Sequence, residues 1–437
     1  MNRITRRQFI AGLSGLTLGG LLTACGGGEE TTPSPTTAAA ASASPTTAAA
    51  ASASPTAATG SPTPATPSSS EPVRVGAVLI LTGDFASLGR SLTEGMEFAL
   101  DEIGGEAGGR PIEIITADSS GNPEQAINKV RELLQRENVH IITGVTLSNE
   151  AAAVRDIIVE SETPWVISNA ALSTLTRDPA LRSPYIFRVS YANGQYDAPL
   201  APWAYENLGY RRIVLTTLDY AAGQERLEVF RRHFEEAGGT VVDEVLAPLH
   251  TQDYGPYLQR ILQADADAVW AWYGSADAVR FVTQYAEFGV RDAFPLFGGG
   301  ELTDEAYLDQ IGDAALDIVT SNNYAPLYDS PENKAFVEQF RERYGHLPGQ
   351  LEYQGYLAIR VIAEALDATG GAIEDKPAFL EALRNVQFTG PMGEFRFHPE
   401  TQHVIMKVVI RRVERLEDGS LGNVVIGEVP DVDDLSY

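Results

Sequence analysis

Apolar and polar positions alternate in long, regular blocks over most of the chain from about residue 72 onward. The run 73–81 is almost continuously apolar and rich in β-branched residues, which is typical of a strand buried on both faces. The next block places Leu92, Met96, Ala99 and Ile103 at helical spacing and predicts one apolar helix face. The same strand–loop–helix order recurs up to residue 168 and predicts a parallel sheet with helices on both faces.

A second series of the same units begins after residue 197. It starts with a strand pattern at 211–218 and ends with one at 294–299. Three long helical patterns without intervening strands follow between residues 331 and 386, and strand patterns close the chain. Because residues 72–437 are too many for one ordinary core, we predict an α/β fold with two doubly wound parallel-sheet lobes.

A different composition precedes these blocks. Residues 1–24 carry three arginines and then an uncharged apolar run of roughly 16 residues, shorter than the about 20 residues that span a bilayer as a helix. This layout predicts an export signal, and the arginine pair in TRRQFI resembles a twin-arginine signal. The stretch LTAC, which ends at Cys25, resembles the bacterial lipobox, in which the cysteine is acylated. A plain signal peptide with an incidental cysteine and a signal anchor are the alternatives.

Residues 25–71 consist mostly of Thr, Ser, Ala and Pro, and the unit SPTTAAAASA starts at both Ser34 and Ser44. Too few large apolar groups are present to offset the conformational entropy of a folded core, so we predict a disordered tether. Cys25 is the only cysteine of the chain, which leaves it no disulfide partner. We therefore expect the acylated Cys25 to anchor the protein to the bacterial cell membrane on its extracytoplasmic side.

Charge and motif content narrow the function further. The formal net charge is −27, and removing residues 1–24 takes away three arginines and no acid, which leaves −30. Such a charge argues against nucleic acid as a partner. The folded part of the sequence has no P-loop, no G-x-S-x-G elbow and no zinc-binding spacing, so we expect neither an enzyme nor a cofactor or metal. Residues 431–437 are predicted to form an acidic tail.

Five stretches of the chain together resemble one known family. In chain order they occupy residues 73–103, 142–157, 217–225, 267–279 and 312–326. Their sequences, among them ITGVTLSNEAAAVRDI and DAVWAWYGSADAV, are similar to those of type I periplasmic solute-binding proteins of ABC transporters. The branch of that family that binds branched-chain amino acids is the one they resemble. The likeness covers nearly all of residues 73–430.

The resemblance implies two lobes joined by a hinge with three crossings of the chain. The crossings would lie near residues 191–195, 324–326 and 390–393. The first lobe would comprise residues 72–193 and 326–390, and the second residues 194–325 and 391–430. Ligand would then bind at the carboxyl ends of the strands, and the lobes would close on it.

The resemblance places a ligand carboxylate at two loops of the first lobe. Ser148 and Asn149 precede a helix, where a hydroxyl and free N–H groups favour an anion; an ordinary helix cap is the alternative. Asn169, Ala170 and Ser173 lie in the second loop, which the family uses for the same carboxylate. The assignment of Ser173 is open by one position, because the family more often has Thr or Ser at the preceding residue.

The second lobe would contact the rest of the ligand. The resemblance places the ring of Tyr220 over the ligand and pairs Glu301 with a ligand ammonium. Glu301 would also suit the start of a helix, and Tyr273, at the cleft end of its strand, would also suit the core. The remaining candidates, which would shape the side-chain pocket, are Phe85, Leu88 and Tyr324.

Together these inferences predict a receptor that binds a small molecule by lobe closure and passes it to an ABC transporter permease. A branched-chain or other aliphatic amino acid is the first expectation, because Glu301 could pair with its ammonium. The stretch 187–212 resembles the branch associated with aromatic carboxylates, so an aromatic carboxylate or amide is the alternative ligand. A sensor that acts in trans on a signalling partner and an extracellular enzyme are the alternative roles.

Overall fold

The computed structural model describes residues 71–83 and 85–437. The predicted signal peptide, the lipidation site Cys25 and all but the last residue of the tether lie outside the described residues. Within the described part, no helix is both long enough and apolar enough to cross a membrane.

The first lobe is built on a six-stranded sheet with the order β2-β3-β1-β4-β5-β6. All neighbouring pairs are parallel except β2 with β3. The strands are β1 (Val73–Leu79), β2 (Glu106–Ala107), β3 (Arg110–Asp118), β4 (Ile141–Gly144), β5 (Trp165–Ile167) and β6 (Ile186–Arg188). Strands β1, β4 and β5 are buried almost throughout, as expected for continuous apolar runs in a sheet that helices cover on both faces.

The second lobe is built on a seven-stranded sheet with the order β15-β14-β11-β10-β9-β7-β8. Strands β7 to β11 pair with one another in parallel, whereas β14 pairs antiparallel with β11 and the edge strand β15 pairs antiparallel with β14. They are β7 (Arg212–Leu218), β8 (Thr240–Ala247), β9 (Ala268–Trp272), β10 (Leu296–Gly299), β11 (Val319–Asn322), β14 (Met406–Arg415) and β15 (Leu421–Val432). A hairpin of β12 (Gln387–Gly390) and β13 (Gly393–Arg396) stands apart from both sheets. The predicted two-lobed α/β fold is confirmed.

Helices fill the connections between the strands. The first lobe and its inserted segment contain α1 (Ala86–Glu102), α2 (Pro123–Gln135), α3 (Ser148–Glu160), α4 (Thr174–Arg177), α11 (Pro331–Tyr344), α12 (Gln350–Thr369) and α13 (Lys376–Arg384). The second lobe contains α5 (Asp197–Trp203), α6 (Ala221–Glu236), α7 (Gly255–Ile261), α8 (Ser275–Glu287), α9 (Val290–Ala293) and α10 (Leu308–Ile311). Short 3₁₀ turns at Gly300–Thr303 and Gly312–Ala315 and a π-helical turn at Ala204–Leu208 complete the fold.

The third passage of the chain between the lobes lies later in the sequence than predicted. Gly390 and Gly393 face each other across the turn of the β12–β13 hairpin, so they reverse the chain instead of linking the sheets. His403 still forms a bridge to Arg188 of β6 in the first lobe, and β14 of the second lobe begins at Met406. The passage therefore falls between these residues, and the predicted boundary at 390/391 was wrong because the glycines serve a turn.

The segment 431–437 packs against the protein. Val432 ends β15, and the side chains of Asp434 and Tyr437 are buried. Tyr437 forms a small apolar cluster with Ala192, Ala198 and Val229. The acidic composition of this segment suggested a tail, but its apolar residues hold it on the surface formed by the first passage and α6.

Helix α12 is held to the first lobe by a close approach to α1. A Cβ added to Gly95 of α1 would lie 1.9 Å from the backbone oxygen of Glu352, and one added to Gly355 of α12 would lie 2.2 Å from that of Leu92. Both distances are far below van der Waals contact. The two helices therefore pack backbone to backbone, which places the start of α12 beside the cleft.

We predict that Gly95→Ala destabilises the protein by about 1–3 kcal/mol or more, because the new methyl group forces the two backbones apart. Urea unfolding measures the change in the free energy of unfolding. Ser87→Ala, an exposed position on the same helix, is the matched control and should change it by less than about 0.5 kcal/mol. Equal stabilities of the two variants would contradict the close packing.

Candidate functional site

The carboxyl ends of β1, β4, β7 and β9 lead into loops and then into helices that start at the space between the lobes. Ser148 is the first residue of α3 and is half-buried, and Asn149 is exposed. Among the described residues the Ser148 hydroxyl has no hydrogen-bond partner. Glu150 accepts from the backbone N–H of Leu147 at 3.0 Å and so caps this helix. The Ser148 hydroxyl and the first free N–H groups of α3 can hold an anion.

The loop after β5 is already engaged with other parts of the protein. The Ala170 N–H donates to the Val145 carbonyl at 3.1 Å, and Asn169 Nδ2 donates to Gln354 Oε1 on α12 at 2.8 Å. The Ser173 hydroxyl donates to Glu225 on α6 of the second lobe. Each of these donors therefore has an internal partner in this structure, and only Ser173 contacts the second lobe through its hydrogen bond.

Glu301 lies in the 3₁₀ turn after β10 and is paired with an arginine. Its Oε1 atom lies 3.0 Å from Arg226 Nη1 and also accepts from the Tyr196 hydroxyl. Burial raises the pKa of the Glu301 carboxyl, but Arg226 and the Tyr196 hydrogen bond outweigh it, so the net pKa lies below its ordinary value. Glu301 is thus ionised, and Arg226 compensates its negative charge. Its Oε2 atom is buried and has no hydrogen-bond partner of ordinary geometry among the described residues, although interaction with the Trp272 side chain also helps to lower the pKa of Glu301.

Arg226 is the centre of this buried cluster. Its guanidinium also pairs with Asp197, with Nε 2.7 Å from Oδ2 and Nη2 3.0 Å from Oδ1. Both side chains are fully buried, and burial raises the pKa of Asp197 to about 6 despite the arginine. The Arg226 guanidinium lies 4.3 Å from the ring centre of Tyr196 and 4.5 Å from that of Trp272. These contacts fix the cluster rigidly at the cleft side of the second lobe.

Aromatic rings form a wall beside this cluster. Tyr220 is half-buried at the start of α6 and stacks on Trp272, with ring centres 5.8 Å apart and planes 24° apart. Phe85 of the first lobe lies 5.9 Å from the ring of His250 of the second, so the lobes touch at this point. Leu88 is half-buried in the first turn of α1.

Two other predicted aromatic contacts lie deeper. Tyr273 is fully buried, bonds to Thr216 Oγ1 at 2.7 Å and stacks on Phe281 at 4.1 Å, which places it in the core of the second lobe. Since side chains alternate along a strand, its neighbour Trp272 points to the cleft side instead. Tyr324 is also fully buried and stacks on Tyr353 of α12 at 4.7 Å. Neither tyrosine lines the aromatic wall.

Sequence reasoning missed several residues of the site. Arg226 lies on α6, Asp197 begins α5 and Tyr196 directly precedes it. The α6 pattern was interpreted only as a helix and the stretch 187–212 only as a resemblance to one branch of the family, so none of the three residues was a candidate. The available signal was an arginine that helical spacing places on the same face as the apolar residues Ala222, Val229 and Phe230. Among the described residues no group of three or more potential metal ligands comes together.

A second pair of acids meets where the lobes join. Glu352 Oε2 at the start of α12 and Asp304 Oδ1 after the 3₁₀ turn lie 3.1 and 3.4 Å from the point where a Cβ on Gly349 would be. Both side chains are buried. Burial and the nearby charges of Glu305 and Glu352 raise the pKa of Asp304 to about 8. Asp304 is therefore protonated in the folded protein over a wider pH range than in the unfolded chain.

We predict that Asp304 makes a contribution to stability that is lost as the pH rises from about 4 to about 8, because the fold must then hold an ionised Asp304 beside Glu352. The buried His403, whose pKa is lowered to about 3, acts in the opposite direction below its ordinary pKa of 6.5, so the contribution of Asp304 is measured as the difference between wild type and variant. Asp304→Asn should be more stable than the wild type at pH 8 but not at pH 4. Urea midpoints at several pH values measure this. Asp309→Asn, an exposed residue of α10, is the control, and an Asp304→Asn profile that runs parallel to the wild type would contradict the assignment.

The two sheets, the cleft between them and the loops at the strand ends define a two-lobed α/β binding protein. The family model described as periplasmic binding protein matches residues 72–420. The chain therefore belongs to the periplasmic binding protein family, and the resemblance found in the sequence is confirmed.

Three relatives illustrate the likeness. The Leu/Ile/Val-binding protein homolog 6 of Brucella melitensis is 31% identical over 360 residues, which cover 81% of this chain and 90% of that protein. The structure of an ABC transporter substrate-binding protein from Sphaerobacter thermophilus is 55% identical, with a TM-score of 0.82 over 84% of this chain and 100% of that one. A solute binding protein of an ABC transporter from Rhodopseudomonas palustris BisB5, solved with 3,4-dihydroxybenzoic acid, is 30% identical, with a TM-score of 0.78 over 84% and 99% of the chains.

Proposed function

We propose that this protein is a lipid-anchored, extracytoplasmic receptor that captures a small carboxylate between its lobes and delivers it to the permease of an ABC transporter. Family membership and the 55% identical substrate-binding protein support the transport role. The helix N-termini and the stacked rings at the cleft support binding of a small ligand. The role is capture and release, without chemistry on the ligand.

The preferred ligand class is an aromatic carboxylate. The observation that carries this choice is the pairing of Glu301 with Arg226 and Tyr196, which already compensates the carboxylate expected to bind an ammonium. An aromatic acid has no ammonium and leaves this cluster undisturbed. Its ring would face the wall of Tyr220 and Trp272, and its carboxylate would bind at the start of α3. The 3,4-dihydroxybenzoic acid bound by the R. palustris relative agrees with this choice.

A branched-chain amino acid is the second candidate, and one observation favours it. Glu301 Oε2 is buried without a partner, so it retains one acceptor for a ligand ammonium. The name of the B. melitensis relative points to the same class. An ammonium there would have to share the carboxylate with Arg226, which weakens the attraction.

We predict that 3,4-dihydroxybenzoate raises the melting temperature of the purified full chain and binds at least about tenfold more tightly than isoleucine. Thermal shift gives the first comparison, and isothermal titration calorimetry gives the dissociation constants. A larger stabilisation by isoleucine would overturn the choice of ligand but would leave the transport role standing.

The variant Glu301→Gln separates the two ligand classes by mechanism. It should change the affinity for an aromatic acid less than about threefold, whereas loss of an ammonium partner would cost about a hundredfold. Asp197→Asn is the matched control. It also removes one carboxylate from Arg226, but the Asp197 side chain is fully buried and so would not contact a ligand. Weaker isoleucine binding in the Glu301 variant alone would identify an ammonium site.

The anchor is tested at Cys25. We predict that Cys25→Ser shifts the mature protein from the membrane fraction to the soluble fraction, because the thiol that would carry the lipid is gone. Ser42→Ala, in the same tether, should leave the protein in the membrane fraction. Fractionation followed by immunoblotting measures both, and a membrane-bound Cys25 variant would rule out this attachment point.

A further inference from the structure

Glu225 joins the two lobes through both of its carboxylate oxygens. It lies on α6 of the second lobe, where Oε1 accepts from the Ser173 hydroxyl of the first lobe. Its Oε2 accepts from Asn193 Nδ2 in the first passage between the lobes, at 2.8 Å. One side chain therefore connects three separate parts of the chain.

The partners of Glu225 are shielded from water. Ser173 is 4% exposed and Asn193 is 3% exposed. Hydrogen bonds to an ionised carboxylate are about twice as strong as neutral ones, and a surrounding of low polarity strengthens them further. Separating the lobes at this point would leave both donors, Ser173 and Asn193, without their hydrogen-bond acceptor.

A buried arginine next to this contact gains from the charge of Glu225. Arg188 is fully buried, and among the described residues no carboxylate lies within ion-pair distance of it. Its guanidinium donates to the Leu172 carbonyl and to Thr176 Oγ1 at 3.3 Å, on both sides of Ser173. Burial lowers the pKa of Arg188, and the nearby charges of Asp434, Tyr437 and, to the smallest extent, Glu225 oppose this. Removing Glu225 would therefore leave a buried cation with less compensation.

We propose that Glu225 is a closure residue: it ties the second lobe to Ser173 in the closed protein and remains there when ligand is bound. Ser173 then serves closure and not the ligand carboxylate, which binds at the start of α3. The closed form is the one that holds ligand, so weakening this contact lowers the apparent affinity in proportion to the loss of closed molecules.

A double-mutant cycle of Ser173→Ala and Glu225→Ala tests the proposal. The probes are 3,4-dihydroxybenzoate and isoleucine, with dissociation constants from calorimetry on the full chain. Each single variant should weaken ligand binding by about tenfold. The double variant should weaken it by little more, because both substitutions break the same contact between Ser173 and Glu225. Glu228→Ala, exposed on the same helix, is the control and should change the affinity less than about twofold.

Two outcomes of the cycle would overturn the proposal. Tighter binding in Glu225→Ala with weaker binding in Ser173→Ala would show that ligand and Glu225 compete for the hydroxyl. Losses that multiply to about a hundredfold in the double variant would show two independent effects.

A measurement without ligand keeps this test separate from the proposed function. Hydrogen–deuterium exchange of the ligand-free chain should be faster in residues 168–177 for Glu225→Ala and Ser173→Ala than for the wild type and Glu228→Ala. Ser173→Ala removes only a hydroxyl, so it tests the contact even if Glu225→Ala folds poorly. Unchanged exchange in that variant would overturn the closure role, whichever ligand binds.

Discussion

A buried cation and its two carboxylates constrain everything that the cleft can do. Arg226 is fully buried, and its charge is tolerated because Asp197 and Glu301 pair with it. This pairing turns Glu301 toward the interior of the second lobe and holds the rings of Tyr196 and Trp272 against the guanidinium. The second lobe therefore presents an aromatic wall backed by a compensated carboxylate, and not the free anion that its sequence suggested.

Helix α6 connects this cluster to the contact between the lobes at Glu225 and Ser173. Glu225 and Arg226 are consecutive, and consecutive helical residues point about 100° apart. Arg226 therefore enters the interior of the second lobe, while Glu225 reaches Ser173 of the first. A small rotation of α6 would weaken both sets of contacts at once. The residues behind the aromatic wall and the residue that joins the lobes are thus coupled by the rigidity of a single helix.

Much of the fold could be predicted because buried strands and amphipathic helices leave strong periodic signals, as at Val73–Leu79 and α1. The passage near Met406 was missed, since Gly390 and Gly393 fit a crossing as well as a hairpin turn. The cleft loops were found for the same reason as the strands, because loops at the carboxyl ends of parallel strands meet. Partners across the cleft, such as Glu225 for Ser173, are distant in sequence and have no local pattern.

The distribution of charge across the cleft favours one shape of ligand. The first lobe offers free N–H groups at α3, while the second holds a cluster of two carboxylates and one arginine. An α-amino acid carries its two charges on neighbouring groups, so its ammonium would have to reach Glu301 Oε2 while its carboxylate stayed at α3. An aromatic acid separates its charge from an uncharged ring. The carboxylate can then face α3 while the ring lies on Tyr220 and Trp272, and no buried ion pair has to be broken.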